Sequence, residues 1–173
     1  YYATDPELAF ITYEVDESSS LTRHKAILVW SYTHYTFSAA DELLYYEGKI
    51  CYAIWNGSAF ISQGEVPDSF STTYTISAAE LSSDKLGNTY VVWSHGVSDT
   101  FYVYSSKWNG SDWTTNLVCT HTNFAHRVRI AFNESNGGIL VHDVATEGIY
   151  YSIGENNDWS TCTYLAQGDY PSI

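Results

Sequence analysis

The chain has 173 residues, of which 45% are hydrophobic and 17% aromatic, and this apolar content excludes a disordered protein. Its formal net charge is -13, with 7 Lys+Arg against 20 Asp+Glu, so the basic stripe that nucleic-acid binding needs is missing. No apolar run has the length of a membrane span, which argues against membrane insertion. Tyr, Thr, Val, Ile and Ser dominate, and these residues predict an all-β protein.

Each of three consecutive units is predicted to begin with two strands. These strands lie at residues 7–11 and 26–30, at 75–79 and 89–93, and at 128–132 and 138–142. The second strand of each pair is almost continuously apolar, which is typical of a strand buried on both faces. In the first unit, residues 31–46 are predicted to form an extra loop.

A hairpin with an aromatic residue after its turn follows in each unit, at residues 50–60, 101–113 and 149–159. Asn56-Gly57 and Asn109-Gly110 predict type I′ turns, in which both central residues have positive φ. A fourth strand, such as 114–118, follows each hairpin. Asn56 and Asn109 are 53 residues apart. Four antiparallel strands repeated at about 50 residues is the pattern of a propeller blade.

These hairpins resemble those of sialidase-like and Asp-box β-propeller repeats, with a weaker likeness to propeller lectins built from several chains. The resemblance implies three blades, either open or completed by oligomerisation. A sandwich or stacked β-array is the alternative. The blade-like units span residues 5–66, 74–118 and 126–165, and a further unit would begin at 169–173. They form a single repeat domain over residues 1–173.

Chemistry of the sialidase kind needs an arginine cluster and a Tyr/Glu nucleophile pair. The chain has only Arg23, Arg127 and Arg129, of which the last two share a strand face and offer an anion contact. No catalytic residue is therefore assigned, and we expect a protein that is not an enzyme. A sialidase-like or other glycosidase fragment stays open, because 20 Asp+Glu make chance carboxylate pairs certain.

Metal and disulfide chemistry have few candidates. Asp84 and Asn88 lie in a Gly-containing turn that offers oxygen ligands to calcium, and ordinary Asx turns explain the same residues. No other cofactor is expected. The histidines do not cluster at zinc-like spacing. Cys51, Cys119 and Cys162 follow no metal spacing either, and they allow one disulfide with one thiol left over or three buried thiols.

Two sets of surface residues point to carbohydrate. Asn56, Asn109 and Asn133 each begin an Asn-x-Ser sequon in a predicted turn. Four tryptophans can stack on sugar rings or fill the space between blades: Trp55, Trp108, Trp113 and Trp159.

We therefore expect an extracellular or cell-surface structural or adhesive module that assembles with copies of itself, in an oligomer or filament. The sequons predict a glycoprotein. The absence of Met and the start at Tyr1 suggest a processed product or a piece of a longer protein. The alternative function is a glycan-binding propeller lectin with Trp- and Tyr-lined pockets between blades.

Overall fold

The computed structural model describes residues 2–15, 22–40, 43–69, 76–77, 79–168 and 171. Within these ranges every regular element is a β-strand, as the composition predicted, and there is no helix that could span a membrane. The strands form three antiparallel sheets of four or five strands, and each sheet is built from one continuous part of the chain.

The strands follow chain order within each sheet. Sheet 1 contains β1 (Tyr2–Val15), β2 (Thr22–Phe37), β3 (Leu43–Trp55) and β4 (Phe60–Glu65). Sheet 2 contains β5 (Glu80–Ser83), β6 (Thr89–Val97), β7 (Thr100–Trp108) and β8 (Trp113–His121). Sheet 3 contains β9 (Ala125–Phe132), β10 (Gly138–Val144), β11 (Gly148–Glu155), β12 (Asp158–Trp159) and β13 (Thr163–Ala166). The short strands β12 and β13 both pair with β11, so the fourth strand of this sheet is divided in two.

The three sheets share one register. Equivalent rungs across their first three strands are Leu8–Leu28–Ala53, Leu81–Val91–Ser106 and Ile130–Leu140–Ser152. Residues near these rungs in one sheet therefore have counterparts in the other two.

Two hydrophobic cores lie between consecutive sheets. We call the side of sheets 2 and 3 that faces the preceding sheet, and the equivalent side of sheet 1, the front face. The opposite side of each sheet is its back face. The first core joins the back of sheet 1, with Ile27, to the front of sheet 2, with Val91. The second joins the back of sheet 2, with Val92, to the front of sheet 3, with Leu140. Successive residues of a strand point to opposite faces, so β6 contributes to both cores and is buried from Thr89 to Gly96, which includes the predicted buried strand at 89–93.

The loop predicted at residues 31–46 was wrong. Strand β2 continues to Phe37, and β3 begins at Leu43, so that this segment forms the end of a long hairpin. Tyr35 pairs with Tyr46, with ring centroids 5.2 Å apart. Serine and threonine alternate with aromatic residues here, and such residues favour strands when aromatic pairs form across them.

The strand predicted at residues 75–79 was also wrong. Ile76, Ser77 and Ala79 are not in a strand, and the first strand of sheet 2 begins at Glu80. Ser77 and Ser94 are instead joined by two hydrogen bonds, of which one uses the Ser77 hydroxyl. The other two residues of that segment lie outside the described residues. The further unit at 169–173 also lies outside them, apart from residue 171.

All three predicted hairpins are present, but the turn type predicted for the first two was wrong. In these two turns only the glycine has a positive φ, 96° at Gly57 and 106° at Gly110. The Asn56 side chain closes its turn by accepting the backbone N–H groups of Ser58 and Ala59. Two consecutive positive-φ residues occur in the third hairpin, at 156–157, with φ of 54° and 69°.

Candidate functional site

Two cysteines and two histidines meet between sheets 2 and 3. Cys119 and His121 are two residues apart on β8 and therefore project from the same face. His142 lies on β10, and Cys162 lies in the segment between β12 and β13. One ligand atom from each side chain, a cysteine sulfur or a histidine nitrogen, lies within 4.8 Å of the other three. We call these four residues the Cys/His cluster.

A disulfide joins Cys119 to Cys162, with their Cα atoms 5.9 Å apart. It links the last strand of sheet 2 to the outer part of sheet 3. Cys51 is the free thiol that the cysteine count left over, and it lies half-buried on the front face of sheet 1. Burial is the main cause of the raised pKa of this thiol.

The two imidazoles of the cluster face each other, with their Nε2 atoms 2.9 Å apart. One ring must donate and the other accept across this contact. Burial lowers the pKa of His142 to about 3, and the neighbouring His121 adds to the effect. Burial also lowers the pKa of His121, against the opposing charge of Glu147. Both rings are therefore neutral near pH 7, which is the state in which imidazole binds metals.

Sheet 3 supplies a second layer around the cluster. The Tyr150 ring is stacked with His142 at 5.9 Å and meets the edge of His121 at 4.8 Å between centroids. Its hydroxyl donates to Glu147 at 3.0 Å, and this hydrogen bond is the main cause of the raised Tyr150 pKa. The Ser152 hydroxyl lies 3.3 Å from the Cys162 sulfur. These contacts fix the positions of three of the four cluster residues.

An open groove of about 290 Å³ leads to the cluster from solvent. His121 and Glu147 line it together with three threonines. The Nδ1 atom of His142, by contrast, is buried and has no hydrogen-bond partner among the described residues. The groove therefore gives a small ligand access to the cluster at His121.

Asp84 and Asn88, the residues predicted to bind calcium, hydrogen-bond to each other within a turn. The buried carboxylate of Asp84 accepts the backbone N–H groups of Leu86 and Asn88, the Asn88 side-chain amide and the Tyr90 hydroxyl. These four hydrogen bonds use both carboxylate oxygens, and they explain why an aspartate occupies this turn.

The three sequon asparagines also close turns. The Asn109 side chain accepts hydrogen bonds from the backbone N–H groups of Ser111 and Asp112. The Asn56 side chain accepts the equivalent two bonds in the first repeat. Asn133 accepts those of Ser135 and Gly137, and it occupies the position that Asp84 has in the preceding repeat. Asn109 and Asn133 are exposed and Asn56 is half-buried. Glycosylation at these residues stays a prediction.

The four tryptophans have different surroundings. Trp108 is buried in the first core, and Trp113 packs against the same core. Trp159 packs against the second core and donates its indole N–H to Asn157. Trp55 lies half-buried at the tip of sheet 1 beside Phe60, with ring centroids 5.3 Å apart. Sugar stacking stays a prediction for all four. Trp55 is the one of these four tryptophans that belongs to neither hydrophobic core.

Arg127 and Arg129 both face carboxylates. Arg127 lies 3.2 Å from Asp143 at an irregularity of β9, where its φ is 41°. Arg129 lies 2.6 Å from Glu80 of the neighbouring sheet. In this structure the anions that these two arginines contact are therefore carboxylates of the chain itself.

The spacing rules for zinc did not identify the Cys/His cluster. Its members come from two sheets, and the separations between β8, β10 and Cys162 follow no standard metal motif. One signal was present, because His142 occupies the repeat position that is Trp30 in the first unit and Trp93 in the second. A polar residue at a core position of a repeat indicates a local function.

Comparisons with known proteins give no family assignment. No protein-family model, no curated protein and no solved structure matches the chain. The function must therefore be argued from the residues themselves.

Proposed function

We propose that this chain is a non-enzymatic structural or adhesive β-repeat module of an extracellular assembly. In this proposal the three sheets are propeller-like blades. The back face of sheet 3 in one copy packs on the front face of sheet 1 in another. The contact is head-to-tail, so two copies form a six-bladed ring, or many copies form a filament.

One observation carries the proposal: five positions on the back face of sheet 3 hold the same apolar or aromatic residue as the back face of sheet 1. The equivalent positions hold identical residues, namely Ile27 and Ile139, Val29 and Val141, Ile50 and Ile149, Tyr52 and Tyr151, and Ile54 and Ile153. On sheet 1 this face is covered by sheet 2, and Ile54 is 5% exposed. On sheet 3, its counterpart Ile153 is 57% exposed and lines an open groove.

The front face of sheet 1 has the complementary composition. Its residues match the front face of sheet 2, with Leu8 at the position of Leu81, Leu28 at Val91, Trp30 at Trp93, Trp55 at Trp108 and Phe60 at Trp113. Sheet 2 uses this face to bind the back of sheet 1. On sheet 1, Leu8 is 61% exposed and Phe60 is 60% exposed. A front face and a back face of the same kind as those in the first core therefore each carry exposed apolar residues.

The alternative is glycan binding, and Trp55 with Phe60 supports it. This aromatic pair lies at the tip of sheet 1, beside the predicted glycan acceptor Asn56. The two rings meet edge to face, and an exposed aromatic face is suited to stacking on a sugar. The alternative and the main proposal make different demands, because sugar binding needs these rings exposed and assembly buries them.

The test is the mass of the purified chain as a function of concentration, with electron microscopy of the same samples. We expect association that Ile153→Lys abolishes, since a lysine on the back face of sheet 3 cannot be buried without a partner. Leu86→Lys is the matched control, because Leu86 is 70% exposed in a turn of sheet 2 and lies on neither face. A monomer at every concentration, or association that Ile153→Lys leaves intact, would contradict the proposal. A monomer that binds a glycan array through Trp55 would establish the alternative.

A further inference from the structure

We propose that the Cys/His cluster is a zinc-binding site in the reduced protein, so that sheets 2 and 3 are joined either by the Cys119–Cys162 disulfide or by a Cys₂His₂ metal centre. This inference does not depend on the assembly proposed above. It rests on the four side chains that converge in the second core.

The number and type of ligands fit zinc. Zinc in structural sites is bound tetrahedrally by four cysteine or histidine side chains, with Zn–S near 2.3 Å and Zn–N near 2.0–2.1 Å. Tetrahedral geometry then separates the ligand atoms by about 3.3–3.8 Å. In the disulfide form one ligand atom of each residue lies within 4.8 Å of the other three. The two histidine nitrogens at 2.9 Å must move apart by a few tenths of an ångström, and the two sulfurs, once the S–S bond is broken, must separate to about 3.8 Å.

Zinc can take the place of the hydrogen that bridges the two histidines. A single hydrogen can bridge the two Nε2 atoms, so one ring must present a protonated Nε2 to the other. With zinc bound, both Nε2 lone pairs bind the metal and both rings carry their hydrogen on Nδ1. Tyr150 is stacked with His142 and holds that ring in the required orientation.

The choice of metal follows from the ligands. Two thiolates and two imidazoles favour zinc over calcium or magnesium, which prefer oxygen ligands. The groove beside His121 admits the ion, and Glu147 at its edge attracts cations.

Conversion between the two forms is a balanced redox step. A dithiol reductant supplies two electrons and two protons to the Cys119–Cys162 bond, which gives two thiols, and the reductant becomes a disulfide. Zinc binding then replaces the two thiol protons, which pass to solvent, and forms two Zn–S bonds. Reoxidation by a disulfide oxidant reforms the S–S bond and releases the metal ion, while the oxidant takes up the two electrons and two solvent protons and becomes a dithiol.

The experiment uses the full chain, reduced with dithiothreitol and transferred without air to buffer free of reductant. It is titrated with Co²⁺, which substitutes for zinc and gives visible bands for tetrahedral thiolate coordination, and then with Zn²⁺. We expect one equivalent of Co²⁺ to bind, Zn²⁺ to displace it, and the oxidised protein to show neither effect. The bound zinc is counted by elemental analysis.

Variants identify the ligands. Cys162→Ser should remove the thiolate bands or greatly weaken them, and His121→Ala should lower the zinc affinity by more than the ~10–100-fold that loss of an outer-shell partner costs. Cys51→Ser is the control, because Cys51 lies in sheet 1, away from the cluster, and this variant should bind as the unchanged chain does. Folding is followed by circular dichroism. If the reduced chain unfolds, recovery of the β spectrum on adding zinc supports the proposal. Failure to bind one equivalent of zinc, or binding unchanged in both ligand variants, overturns it.

Discussion

Tyr52 of sheet 1 packs against Trp108 of sheet 2, with ring centroids 5.7 Å apart. Trp113 completes the cluster, 5.6 Å from the same tyrosine and 5.3 Å from Trp108. The counterpart of Tyr52 in sheet 3 is Tyr151, and the counterparts of the two tryptophans in sheet 1 are Trp55 and Phe60. The proposed contact between copies would thus repeat an aromatic cluster that already stabilises the first core.

Truncating Trp108 should destabilise the fold much more than truncating its counterpart. Trp108 is 7% exposed, and Trp108→Ala should lower the free energy of unfolding by about 3–5 kcal/mol. Trp55→Ala removes a half-buried ring at the tip of sheet 1 and should cost clearly less. Urea denaturation in the Ile153→Lys background measures both without interference from association. Equal losses at the two positions would show that Trp55 has a packing role within the single chain.

A head-to-tail interface predicts complementation between two defective variants. Leu8→Lys alters the front face of sheet 1, and Ile153→Lys alters the back face of sheet 3, so neither variant should associate alone. A mixture retains one intact interface, formed by the back face of the Leu8→Lys chain and the front face of the Ile153→Lys chain. We expect a 1:1 complex in the mixture by analytical ultracentrifugation. A symmetric interface between two back faces would instead leave Leu8→Lys fully associated.

The sequence predicted what depends on local pattern and missed what depends on contacts between distant segments. The buried strand at 89–93 and the Asn-Gly hairpins follow from apolar runs and turn residues, and the structure contains them. The loop at 31–46 was wrong because the aromatic pair Tyr35–Tyr46, a contact between two strands, stabilises a longer hairpin. The Cys/His cluster was missed because it exists only when two sheets pack together.

Stability should depend on pH through His95. Its side chain is 5% exposed, packs 5.1 Å from the Tyr104 ring, and has a buried Nδ1 with no hydrogen-bond partner in the described part of the chain. Burial lowers its pKa, against the opposing charge of Asp68. The unfolded chain, with a histidine pKa of about 6.5, therefore takes up the proton first as pH falls.

This contribution to stability is complete above pH ~6.5 and is lost as the pH falls from there toward the lower pKa of the folded state. His95→Phe should reduce the pH dependence of the free energy of unfolding between pH 7 and 5, by up to about 1.4 kcal/mol per pH unit. Tyr102→Leu is the control, since it changes a ring contact of His95 and keeps the imidazole. An unchanged pH dependence in His95→Phe would mean that this histidine is protonated equally in both states.

Breaking the disulfide should loosen the connection between sheets 2 and 3 when metal is excluded. The bond closes a loop with a sequence separation of 43 residues, and loop-closure entropy gives it a stabilising contribution of about 4 kcal/mol. We expect reduction in the presence of a chelator to lower the free energy of unfolding by an amount of this order, measured by urea denaturation. Cys51→Ser should respond to reduction as the unchanged chain does, because it leaves the disulfide intact. If reduction has no effect, Val92, Leu140 and the rest of the second core hold the two sheets together without the covalent link. Such a result would also mean that a zinc ion in the reduced protein adds to an interface that is already stable.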